Sequence, residues 1–140
     1  MKKLVLVAKH AAELYLIIVG GAYSLAGLVA LIANIRLLLM ATDRTEFRES
    51  RADIGTNLIM LAFASACLTA GLGIQKFRRW GLVLAAIVGV FAIVEAISVS
   101  AIDPWEYHNL TIALPLVLIM IWAMSPPTWT VFSERSLKNS

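Results

Sequence analysis

Apolar residues run along this chain in four long blocks, at residues 14–33, 54–74, 80–101 and 105–125, with short polar links between them. A helix rises about 1.5 Å per residue, so about 20 residues match a hydrocarbon core of about 30 Å. The pattern predicts four membrane-spanning helices. The expected fold is all-α: a polytopic membrane protein with four transmembrane helices in an antiparallel bundle. One domain is expected over residues 1–140, with no room among them for a separate soluble domain.

Small residues interrupt the apolar blocks at helical spacing. In the third, Gly81, Ala85, Gly89, Ala92, Ala96 and Ser100 form one stripe, about 100° wide. The second has Ala62, Ser65, Ala66, Thr69, Ala70 and Gly73, and the first has Gly20, Ser24, Gly27 and Asn34. In lipid, oil-like burial gives little drive to associate, and small residues let helices approach closely. These faces predict a compact bundle, or one that also docks a partner.

The links carry cap signals. Asp103-Pro104-Trp105-Glu106 reads as N-cap, first-turn proline and capping-box acid. Ser50-Arg51-Ala52-Asp53 has the same spacing before the second block, and Asp43-Arg44-Thr45-Glu46 could start a short surface helix. Pro115 is expected to kink the fourth helix and Pro126-Pro127 to end it, leaving a loosely ordered polar tail from Thr128. Residues 2–10 are expected along the inner surface as a short basic amphipathic segment. Their apolar run, residues 4–8, is too short for a signal-peptide core of about 7–15 residues, so the first helix is expected to be retained as an anchor.

Charge orients the bundle. Lys2, Lys3, Lys9, Lys76, Arg78, Arg79, Arg135 and Lys138 fall on one side, against Arg36, Arg44, Arg48 and Arg51 on the other. The side richer in Lys and Arg is normally cytoplasmic. Both termini are therefore expected inside a bacterial-type cytoplasmic membrane. The chain is 60% hydrophobic and 15% charged, with a net charge of +3. Its basic residues flank the spans, so they read as topology signals and lipid contacts rather than nucleic-acid contacts.

Candidate chemistry is sparse. Glu95 lies in the third block, about 12 Å from its outer end, and an acid at such depth costs a few kcal/mol. It is the candidate proton- or cation-binding group, with Asn34 first and Arg36 second as expected partners. Lys76, Arg78 and Arg79 are the lipid head-group candidates. Lys9 and Glu13 have the i,i+4 spacing of a helical ion pair. The single cysteine, Cys67, reads as packing. A metal at Asp103, Glu106 and His108 has little support, because such mixed ligands recur by chance in acidic loops. No nucleophile–base set, HExxH, CxxC, haem-ligating histidine pair or phosphate loop is present.

No cofactor and no enzymatic activity are expected. The expected partners are the lipid bilayer and a homo-oligomer or larger membrane complex. The leading expectation is a non-enzymatic accessory, assembly or interaction subunit; the alternative is a small proton- or cation-coupled transporter using Glu95. In size and span number the chain is similar to small multidrug transporters. Those carry an essential acid within helix 1, whereas here Glu13 lies near the surface and the deep acid is in helix 3.

Overall fold

The computed structural model describes residues 2–40, 44–102 and 108–138. They form five helices and no strand: α1 (Lys2–Met40), α2 (Arg44–Gln75), α3 (Arg79–Ile102), α4 (His108–Met124) and α5 (Pro126–Lys138). Three of them, α1, α2 and α3, are long and apolar enough to cross a membrane. A fourth span results if α4 and α5, bent by 67° at Ser125, are counted together. Several such helices fit a multi-pass membrane protein. Leu25, Val29, Ile97 and Leu114 are 64–69% exposed, an outer surface that water would solvate poorly.

Successive helices pack on one another, and glycines set the register. A Cβ on Gly20 would meet the Leu68 amide and Ala64 carbonyl of α2, and one on Gly27 would meet Leu61. Residue numbers rise along α1 as they fall along α2, so the pair is antiparallel. At the α2–α3 seam Gly73 and Gly81 touch backbone to backbone, while Gly89 of α3 lies against Leu116 and Met120 of α4. The α3 stripe is buried from Gly81 through Ala92 and half-buried at Ala96; the side chain of Ser100 lies outside the described residues.

The α2 stripe does not all face inward. Ala70 and Gly73 are buried, but Ala62, Ser65 and Thr69 are exposed. Ser65 and Thr69 donate to the carbonyls of Leu61 and Ser65 one turn back, at 2.8 and 2.6 Å. Their hydroxyls are satisfied within the helix and need no partner. The packed face of α2 instead carries Asn57, Ala64, Cys67, Gly71 and Ile74.

Three element boundaries differ from expectation. The N-terminal segment is no separate surface element, because residues 2–13 continue α1 without a break. Ser50 to Asp53 lies inside α2, which begins at Arg44. Arg, Glu and Ala dominate residues 44–52, and these helix formers carry the helix beyond its apolar part. The tail is ordered as α5. Pro126 and Pro127 begin a helix as well as ending one, since proline suits the first turn. The Oγ of Ser125 lies 2.9 Å from Oγ1 of Thr128, and the Thr128 amide donates to the Ser125 carbonyl. The Asp103–Glu106 cap, along with Trp105 at the start of the fourth block, lies outside the described residues.

At the α2–α3 turn the amide of Arg78 bonds to the Gly73 carbonyl (2.9 Å) and that of Phe77 to Ile74 (3.1 Å). These two bonds make a Schellman motif, which places its C′ residue in the left-handed region and favours glycine there. The residue is Phe77, with φ of 53°. Its ring holds it in place: Phe132 of α5 packs at 5.3 Å, and the cations of Lys9 and Arg135 lie 4.3 and 4.8 Å from the ring centroid. Phe77→Ala is expected to destabilise the protein by about 2 kcal/mol through lost packing and cation–π contact. Phe77→Gly loses the same ring yet relieves the backbone, so it should cost about 1 kcal/mol less. Detergent-micelle unfolding measures both, and alanine proving equal to or better than glycine would remove the strain.

Candidate functional site

Glu95 is carried by α3 one turn beyond Phe91, on the flank of the buried stripe, and it is exposed. It lines a cavity of about 30 Å³ to which α1 contributes Tyr23, α2 Phe63, α3 Ala92 and Ala96, and α4 Ile112, Ala113 and Leu116. That space admits a water molecule or two. An aromatic ladder runs beneath it: Tyr23 meets Phe63 edge-on at 6.2 Å, and Phe63 meets Phe91 at 5.5 Å. Among the described residues, Glu95 makes no hydrogen bond or ion pair.

Asn34 and Arg36 are not brought to Glu95; neither lines its cavity. The helix register explains why. Gly20 lies against Ala64–Leu68 and Gly27 against Leu61, so Tyr23 is the α1 residue near Phe63. Asn34 is 11 residues farther along, about 16 Å at helical rise. Asn34 is half-buried and Arg36 exposed at the far end of α1.

The opposite end of the bundle carries a cluster of polar contacts. Lys9 is 4% exposed, with Nζ 3.1 Å from the Glu13 carboxylate, so the expected i,i+4 pair forms and is nearly buried. Nδ1 of His10 is 3.7 Å from the same carboxylate. Charged side chains bind α5 across this end: Lys2 to Glu134 at 2.8 Å, Arg79 to the hydroxyl of Ser133, and Arg135 over Phe77. Phe132 is wholly buried between Phe77 and Trp122. Lys76, Arg78 and Arg79, the head-group candidates, are all exposed in the α2–α3 turn and at the start of α3.

Sequence reasoning missed Phe77, the burial of Lys9 and the role of α5. One signal was available: Thr128, Val131, Phe132 and Arg135 follow i, i+3, i+4, i+7 spacing, the mark of an amphipathic helix. Cys67 is fully buried in the core, as its packing role requires. No group of three or more His, Cys, Asp or Glu that could hold a metal occurs among the described residues. The chain matches no protein-family model, no curated protein and no solved structure.

Proposed function

We propose that this chain is a four-span protein of a bacterial-type cytoplasmic membrane, both termini inside, and that it works as a non-enzymatic accessory or assembly subunit. The carrying observation is Glu95, an exposed carboxyl group with no hydrogen bond or ion pair among the described residues, in a mostly apolar helix. In a bilayer such a group costs a few kcal/mol unless it is covered by protein or water. A partner chain or a second copy on the α3 flank covers it. The large exposed surface of α1 supports the same reading, since only 17% of its most apolar stretch is buried.

Purification in mild detergent followed by mass spectrometry should recover the wild-type chain with a partner or as a homo-oligomer. Glu95→Ala should reduce that recovery about tenfold, the effect of losing roughly 1.4 kcal/mol at an interface. A stable monomer without partners in several mild detergents would sink this reading.

The cavity itself favours a second reading. Four helices converge on Glu95 and the Tyr23 ring, the arrangement of a small proton- or cation-coupled transporter. Flux in reconstituted liposomes should then vanish in Glu95→Gln. Unchanged flux, or none with any tested cation, would remove this alternative.

A further inference from the structure

We infer that the α2–α3 turn binds the head group of an anionic phospholipid, with Lys76 and Arg78 as its ligands. The inference deepens the proposed reading, because it rests on the chain being embedded in a bilayer. Its observations belong to a different part of the molecule from Glu95.

The turn has an unusual division of labour. Phe77, in its left-handed conformation, tucks its ring toward α5, where Phe132, Lys9 and Arg135 engage it. Lys76 and Arg78, on either side, remain exposed. Among the described residues neither side chain makes a hydrogen bond or ion pair, while three other cations at this end are occupied. Lys9 pairs with Glu13, Lys2 with Glu134 and Arg79 with Ser133. Two free cations thus flank one fixed ring, on a turn whose backbone is locked by two hydrogen bonds. The locked backbone fixes where the two side chains start, so binding has only their rotamers to order.

What lies beside the turn selects the source of the anion. Leu72 is 48% exposed one helical turn before Lys76. Trp80 is 44% exposed, and its ring crosses Gly73, next to Leu72 on α2. Val83 continues this apolar surface along α3 at 47% exposure. A basic rim on an indole and an aliphatic strip suits an amphiphile: phosphate at Lys76 and Arg78, glycerol level with Trp80, acyl chain along Leu72 and Val83. Indole rings settle at that interfacial depth. A free phosphate ion would use the rim alone.

The test uses the full chain in nanodiscs of equal phosphatidylglycerol and phosphatidylcholine, with native mass spectrometry counting the lipids retained after mild delipidation. Wild type should retain phosphatidylglycerol preferentially. Lys76→Gln/Arg78→Gln should lower that preference about tenfold or more, since each basic residue near an anionic surface contributes about fivefold. Trp80→Ala should weaken retention of both lipids. Circular dichroism on each variant checks that the helices persist, and Lys2→Gln/Lys3→Gln is the matched charge control.

An equal loss in that control would mean diffuse attraction, not a site, and would overturn the inference. So would displacement of phosphatidylglycerol by millimolar inorganic phosphate, which would mark a free-anion site. Labelling of Gln75→Cys by a membrane-impermeant maleimide in oriented cells tests the orientation separately. Nanodiscs expose both leaflets, so the lipid result stands even if the turn proves to face outside.

Discussion

Gly81→Val is expected to destabilise the bundle by about 3 kcal/mol, the upper part of the usual range for overpacking. A Cβ at this position would lie 2.6 Å from the carbonyl carbon of Gly73 and from the Ile74 amide nitrogen. Those are backbone atoms, so no rotamer change relieves the clash and the helix axes must separate. Separation also withdraws Leu82 and Ala85, both 1% exposed, from the core. Van der Waals contact is the main force joining helices in lipid, and it falls off steeply with distance. Gly21 and Gly55 provide the contrast, because a Cβ there meets nothing within 4 Å. Alanine at either should be neutral or stabilising by up to about 1 kcal/mol, from helix propensity alone. Denaturant unfolding in detergent micelles, followed by circular dichroism, ranks the three variants. A Gly81→Val protein as stable as wild type would mean that the α2–α3 crossing is looser than described.

The same glycines show which parts of the fold were legible in the sequence. The α3 stripe was readable because one helix is packed on both sides, by α2 at Gly81 and by α4 at Gly89. Small residues there meet a neighbouring helix at both ends of the stripe. On α2 the reading failed at Ser65 and Thr69, because a hydroxyl that bonds to its own helix looks, in sequence, the same as one that faces a neighbour. Helix lengths were underestimated for a related reason. Hydropathy reports where a helix is apolar, whereas helix propensity decides where it stops, and residues 44–53 are polar yet helical.

Glu95 divides along the same line. A helical wheel shows which side of α3 carries it, and the structure keeps it on the flank of the packed stripe. Its neighbours on other helices depend on axial register, which the Gly20 and Gly27 contacts set. Asn34 and Arg36 were the expected partners, but α1 and α2 run on well past their apolar blocks. The basic turn was visible as a charge cluster. Its conformation was not, since nothing in the sequence marks Phe77 for a position that glycine usually fills.

Glu13→Ala is expected to cost about 3 kcal/mol, the other large effect in this protein, because it strands a charge inside the structure. The side chains of Lys9 and Glu13 are 5% and 14% exposed, with Nζ and Oε2 at 3.1 Å. Without Glu13, the Lys9 ammonium keeps, among the described residues, only the Phe77 ring, 4.3 Å from its centroid, and that ring cannot replace a carboxylate. The loss extends to α5, because Phe77 is also the surface on which Phe132 and Arg135 rest. Removing both charges is a different matter. Lys9→Met/Glu13→Gln keeps the volume and leaves no ion, so it should cost about 1 kcal/mol or less. The double variant should then be more stable than Glu13→Ala, a non-additivity that packing loss alone cannot produce. Lys2→Ala tests the other end of the scale. Its bridge to Glu134 is short, at 2.8 Å, but the two side chains are 73% and 59% exposed. Solvent screens such a pair, so the variant should unfold within about 0.5 kcal/mol of wild type. Chemical unfolding of the four proteins in one detergent decides the matter. If Glu13→Ala proves as mild as Lys2→Ala, water reaches Lys9, and the basic end of the bundle is held by Phe132 and its apolar neighbours alone.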